Sequence, residues 1–291
     1  MNPQLDAWPE LPLAAWRDTY DTLHMWTQIV GKIRMTLTPL INHYWNATLY
    51  VSARGLTTSA IPYPRGIFEI DFDLIGHKLV IETSEGDVRT LDLAPRTVAD
   101  FYAEVMSTLA ALKIDVEIHP HPDEVANPIP FAEDRTHKSY DREYVEKFRR
   151  LLISVDTVLK KFRGRFIGKC SPVHFFWGSF DLAVTRFSGR VAPPRSDAQY
   201  QEMMQEAYSH EVSSAGFWPG GGDIKGPAFY SYTTPEPAGF KTYAVGPKPA
   251  FYHQGMGEFL LMYDDIRGAE SPASALMEFL QTTYEAGANL A

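Results

Sequence analysis

Two histidines and two carboxylates stand close together in the second half of the chain: His174 and Asp181 in SPVHFFWGSFD, His210 and Glu211 in YSHEVSSAGFW. Such nitrogen and oxygen donors build a catalytic divalent-metal site or a general acid–base site. Arg186 adds a planar guanidinium suited to clamping an anionic group through paired hydrogen bonds. The spacing matches no known metal motif. Successive strand residues face opposite ways, so His210 and Glu211 do not share a pocket on a regular strand. His174 and Asp181 also differ in parity, unless Gly178 bends or bulges the strand between them.

Other segments carry weaker chemistry. FWPGGGDIKG (217–226) has three successive glycines that permit close backbone approach to an anion, with Lys225 beside them, but it lacks the Walker pattern and reads as a structural or gating loop. Cys170 in GKCSP has a lysine before it and His174 four residues on, the setting of an activated thiol; its plainer role is a small buried hydrophobe. No G-x-S-x-G elbow and no H-E-x-x-H helix is present. Glu69, Asp71 and Asp73 alternate with Phe68, Ile70 and Phe72 and read as the solvent side of a strand. His119 and His121 alternate with prolines as loop composition.

These residues need elements to position them. Trp16, Tyr20, Leu23, Trp26, Val30 and Ile33 recur at helical spacing and predict an amphipathic helix over 14–36 with one aromatic face buried, ended by Pro39. Strand-like segments follow at 46–54, 67–74, 77–83 and 87–93, an antiparallel meander. Thr97 caps a helix to about Lys113, and a short strand, Ile114–Ile118, comes next. The four prolines of 119–139 mark a surface linker. Asp141 opens a second long helix through Phe162; strands are expected at 172–188, 209–217, 228–233 and 257–263, then a last helix from Ser271-Pro272.

Both halves thus run helix, strands, helix. Lys32-Ile33-Arg34 answers Lys161-Phe162-Arg163; each is followed by proline, a histidine (His43, His174) and a tryptophan (Trp45, Trp177), and nine residues on by Arg54 or Arg186. The expected fold is α+β: two pseudo-symmetric α-β(3–5)-α halves with antiparallel sheets covered by helices, 1–118 and 141–291, joined by 119–140 and fused into one unit. The equivalence of His43 and His174 favours a structural role for both. Asp181 takes the place of Leu49, a carboxylate where the other half has an apolar residue, and burying it is costly unless it is paired, hydrogen-bonded or bound to a cation.

Composition narrows the function classes. The 45% hydrophobic content, rich in Phe, Tyr and Trp, gives an ample core and excludes a disordered chain. A net charge of −9 argues against nucleic acid or an anionic membrane as partner. The basic cluster Lys160, Lys161, Arg163, Arg165 and Lys169 sits where a helix C-terminus favours cations. A single cysteine suits a reducing compartment, Met1–Leu13 with its three prolines and two acids is no signal peptide, and no apolar run approaches the ~20 residues of a membrane span, so a cytoplasmic location is expected.

DTLHMWTQIVGKIR (21–34), LYVSARGLTTSAIPY (49–63), FEIDFD (68–73), KCSPVHFFWGSFDLAVTRFSGR (169–190) and YSHEVSSAGFWPGGG (208–222) resemble a widespread bacterial family that carries only a domain-of-unknown-function label. The resemblance covers nearly the whole chain and implies no reaction, cofactor or site residue. From the residues themselves, the expectation is a small-molecule enzyme or ligand binder, with a pocket at the junction of the halves. His174, Asp181, Arg186, His210 and Glu211 would be its catalytic groups, and His174, Asp181, His210 and Glu211 the ligands of any divalent metal. The rival expectation is a protein-interaction module docking through Phe217 and Trp218.

Overall fold

The computed structural model describes residues 6–194 and 201–291. The first helix, α1 (Leu13–Leu37), starts directly after Pro12 and stops short of Pro39. It is not a surface helix with one buried face: from Thr22 to Arg34 every residue is buried, including Gln28, Lys32 and Arg34. It is therefore a central helix, packed on several sides, whose polar side chains have to find partners inside the protein.

A short 3-10 segment, Asn42–Ala47, replaces the start of the strand expected at 46–54, because His43 and Tyr44 adopt left-handed backbone. The first sheet then comprises β1 (Tyr50–Val51), β2 (Gly55–Thr57), β3 (Ile61–Tyr63), β4 (Gly66–Asp73), β5 (Lys78–Thr83) and β6 (Val88–Asp92). All pairings are antiparallel in the order β1-β2-β4-β5-β6, with β3 also on β4. Phe68, Ile70 and Phe72 are buried and the acidic row Glu69, Asp71 and Asp73 lies on the wetter face, as the alternation requires. Helix α2 (Val98–Ala111) is capped by Thr97, whose hydroxyl accepts from the Asp100 amide at 3.1 Å. Ile114–Ile118 joins no ladder; Ile114 and Ile118 are buried by packing alone, without strand pairing.

Residues 119–140 contain no helix or strand. Their path is nevertheless tied to α1. Asp123 bonds the buried Lys32 ammonium at 2.5 Å, and its backbone exchanges two 2.8 Å hydrogen bonds with the Gln28 amide. Helix α3 (Arg142–Gly164) follows, capped by Asp141, with Lys161 and Arg163 in its last turn where the helix dipole favours cations.

The second sheet comprises β7 (His174–Phe176), β8 (Asp181–Val191), β9 (His210–Trp218), β10 (Ala228–Thr234), β11 (Phe251–His253) and β12 (Glu258–Met262), in the order β11-β12-β10-β9-β8-β7. The strand expected over 172–188 is a hairpin instead: the chain turns at Trp177–Phe180 and Asp181 opens β8. Helix α4 (Gln201–Ala207) precedes β9, α5 (Tyr263–Arg267) follows β12, and α6 (Pro272–Leu290) begins at the Ser271 cap. Leu182, Phe217, Phe229 and Leu261 lie in register across four strands and face the core shared with α3 and α6. One continuous core draws on both halves, and the two sheets meet at a bridge between Leu49 and Phe175.

Trp177 locks this junction. Its indole N–H donates to the Ala47 carbonyl, its ring lies under the Lys32 ammonium at 5.3 Å, and Gly31 supplies the space it occupies: a methyl group there would fall on the indole itself. Gly31→Ala is therefore expected to cost about 1–3 kcal/mol, the usual cost of overpacking, although alanine favours helix. Urea denaturation of wild type and variant measures it; an unchanged or raised midpoint would show that this contact does not tie the halves together.

Candidate functional site

Asp181 is the first residue of β8, and its carboxyl group projects from the sheet face opposite α3 and α6. The register explains what holds it. Ala183 pairs with Gly216 on β9, and Gly216 pairs with Tyr230 on β10. Paired residues share a sheet face, and Asp181 shares the face of Ala183 two residues on. Because Gly216 has no side chain, the Tyr230 ring lies across it: a methyl at Gly216 would stand 2.6 Å from the tyrosine hydroxyl. The hydroxyl thereby reaches over one strand and donates to Asp181 Oδ2, while the Ser179 hydroxyl donates to Oδ1 at 2.6 Å.

Around this carboxylate lies a cavity of about 800 Å³. One wall is the sheet, with Trp218, Tyr230, Tyr232 and Glu258; a second is α1, with Tyr20 and His24; a third is the linker from Pro122 to Ile129; and the glycine turn Gly220–Gly222 closes an edge. Glu258 opens β12 on the cavity face and is 9% exposed, and its carboxyl group makes no hydrogen bond or ion pair among the described residues. Glu124, in left-handed backbone on the linker, keeps much of its side chain exposed and rests its carboxylate on Gly178, where a methyl group would come within 2.7 Å of Oε1.

The electrostatics follow from this crowding. Burial raises the Asp181 pKa, and the Ser179 and Tyr230 hydrogen bonds only partly oppose it. Burial, then the charge of Asp181, pushes Glu258 up to about 7. Glu124 is pushed up to about 7 by desolvation, then by Asp181 and Asp123. Desolvation also holds His24 down at about 4; its Nε2 lies 3.0 Å and 2.8 Å from the carbonyls of Trp177 and Gly178, so Nε2 carries the proton and the ring is neutral. Arg17, the one arginine on the cavity wall among the described residues, is committed to Asp21 at 2.9 Å.

The turn that delivers Asp181 is itself strained. Phe180 is fully buried with φ at 60°, a conformation rarely adopted by a bulky residue, and is held by ring contacts to Tyr20, Phe148 and Phe175 at 4.9 to 5.3 Å.

The other residues singled out from the sequence lie elsewhere. His174 shares the sheet face of Asp181, since it pairs with Ala183, but its ring is boxed by Trp45, Tyr50 and Phe176. Burial first, then Arg34 and Arg163, holds it down at about 3, and its Nε2 is buried without a partner. His210 is half-buried near the far end of β9, beside His43 with ring centroids 5.9 Å apart. Glu211 pairs with Arg190 at 2.6 Å and accepts from Ser188 at 2.8 Å. Arg186 points to the opposite sheet face. Its guanidinium stacks on Phe162 at 3.4 Å and Tyr284 at 4.3 Å and donates to the Phe162 carbonyl, so it satisfies the C-terminal end of α3.

The expected metal set is thus corrected. His174, Asp181, His210 and Glu211 are not brought together, and among the described residues no group of three or more His, Cys, Asp or Glu is placed to hold a metal ion. Cys170 is half-buried, and burial raises its thiol pKa, the reverse of activation. Lys225 folds back onto the Gly222 carbonyl at 2.6 Å, which removes it from any anion cradle. Phe217 is fully buried in the core and therefore offers no docking surface, while Trp218 faces the cavity.

Tyr230, Glu258, Glu124, Tyr20 and His24 escaped the sequence reading. Two signals pointed toward them: the isolated glycine in SSAGFW, a mark of close approach within a strand, and the glutamate opening the apolar run EFLLM.

An α+β protein with an acidic, aromatic-walled cavity against one sheet is the class defined by this geometry. The chain belongs to DUF5996, a family of unknown function, whose model matches residues 8–291. No curated protein and no solved structure matches it, and among the described residues no helix is long and apolar enough to cross a membrane.

Glu258 gives the site a pH signature. A carboxyl whose folded pKa exceeds its unfolded value holds its proton more tightly in the folded state, so its favourable contribution is lost as pH rises from about 4.5 to about 7. Solvent screens the corresponding effect at the exposed Glu124. Glu258→Gln is expected to be more stable than wild type by about 1–3 kcal/mol at pH 8 and to lose most of that advantage at pH 5. Urea unfolding at the two pH values measures the difference; equal offsets at both would mean that Glu258 titrates normally.

Proposed function

We propose that the chain binds a small organic molecule in the cavity between its halves and that Asp181 is the group that takes or holds a proton of that molecule. The observation that carries this reading is the Asp181 carboxylate, buried and oriented by two hydroxyl donors against a cavity of about 800 Å³, with no cation bonded to it among the described residues. A group held in this way serves as a general base, because its orientation is set beforehand and its basicity is raised by burial. Tyr230 tunes it: a hydrogen bond to the charged form restrains the rise in pKa. Tyr20, Trp218 and Tyr232 supply flat apolar walls, and the neutral His24 leaves Nδ1 as an acceptor.

The test is a thermal-shift and calorimetric screen of metabolite-sized compounds against the full-length protein, with Asp181→Asn and Tyr230→Phe alongside. For a compound that stabilises the wild type, Asp181→Asn is expected to weaken binding about tenfold or more while circular dichroism and the melting temperature show an intact fold. Binding that survives both substitutions unchanged would remove Asp181 from the site.

A further inference from the structure

The cavity carries more negative charge than the protein neutralises, and this charge selects its occupant. Asp181, Glu124 and Glu258 reach it from β8, the linker and β12, and none is paired with a lysine or arginine among the described residues. The nearby cations are already engaged: Arg17 by Asp21, Lys32 by Asp123, and Lys225 by a loop carbonyl. Two hydroxyls satisfy the lone pairs of Asp181 without cancelling its charge.

Glu258 is the independent indication of a ligand. More than nine-tenths of it is buried, it faces the cavity, and its carboxyl group has no partner of any kind among the described residues. The small part of it left exposed opens on the cavity, so the cavity is the direction from which a partner reaches the carboxyl group. The walls supply what a carboxylate cluster alone lacks: the rings of Trp218, Tyr230 and Tyr232, aromatic groups whose faces attract positive charge, as the Tyr20 ring already does for Arg17 at 5.3 Å.

We propose that the ligand of this cavity is an organic cation, an ammonium compound whose charge is spread or repeated over several atoms. A point ion fits poorly, since the carboxylates stand on separate elements and no three donors among the described residues converge as metal ligands. An anion is repelled by the same field. The inference rests on the cavity being a ligand site, and it adds the sign and shape of the ligand's charge.

Isothermal titration of the full-length protein at pH 8 and low salt tests it, with 1,4-diaminobutane and choline as the cationic probes. Butane-1,4-diol is the neutral isostere of the diamine, succinate an anionic counterpart, and magnesium chloride the point charge. At least one amine is expected to bind about tenfold or more tighter than the diol, with no heat from succinate or magnesium. Glu258→Gln should weaken that amine about tenfold, and added salt should weaken its binding to the wild type. Two controls keep a folding defect from counting as support: the melting temperature of the variant, and its Glu258→Asp counterpart, which retains the charge and should recover part of the affinity. Diol or succinate binding that depends on Asp181 would overturn the cation proposal and leave the ligand site standing. Magnesium binding lost in Glu258→Gln would replace the organic cation by a metal. An absence of binding by both amines would overturn the proposal.

Discussion

A carboxylate buried on the face of a sheet, with hydroxyl donors but no countercharge, is the constraint on which the rest of the site depends. Asp181 is tolerable there because both its oxygens accept hydrogen bonds, and the Tyr230 bond exists only because Gly216 leaves the intervening strand bare. Hydroxyl donors satisfy oxygen lone pairs and leave the negative charge in place. Burial first, and that residual charge second, raise Glu124 and Glu258 to about 7.

Asp181 and Arg186 show how strand parity separates two kinds of buried polarity. Both sit in the buried part of β8, five residues apart, and therefore face opposite ways. Arg186 meets the C-terminal end of α3 and two aromatic rings, so its burial is explained by a helix carbonyl that would otherwise be unsatisfied. Asp181 has no comparable debt to settle in the scaffold. Its environment raises its pKa and leaves it facing a cavity, with the Ser179 and Tyr230 hydroxyls as its side-chain donors.

Much of the fold was legible because its signals are local. Thr97, Asp141 and Ser271 cap the helices that their neighbouring apolar periodicities announce, and the meander β4-β5-β6 follows from alternation interrupted by turn residues. The all-round burial of α1 was hidden, since Gln28, Lys32 and Arg34 carry polar groups that long-range partners alone make tolerable. Ile114–Ile118 has the composition of a strand, but no neighbouring strand pairs with it. At the site, Asp181 stood out as a carboxylate matched to Leu49. Its companions did not, because Tyr230, Glu258 and Glu124 converge through strand register and the path of the linker, contacts between residues distant in the chain. His210 and Glu211 drew attention by residue type, whereas their positions on β9 give them other partners.

The linker carries the last step. A proline-rich connection is expected to be dispensable surface, yet this one is fastened to the central helix by the Lys32–Asp123 ion pair and the Gln28 amide, and those bonds bring Glu124 over Gly178. Glu124, on the cavity wall, and Phe180, which precedes Asp181, both hold left-handed backbone without being glycine. Strain of that kind persists only where the surroundings over-determine it. Here Phe180 is pinned by the rings of Tyr20, His24, Phe148 and Phe175, and Glu124 belongs to a segment clamped at the preceding residue. Stability alone would favour relaxing the strain and neutralising the carboxylates. Among the described residues, three of the eight non-glycine residues in left-handed backbone, Glu124, Asn127 and Phe180, lie at or next to this cavity, beside carboxylates that no lysine or arginine pairs.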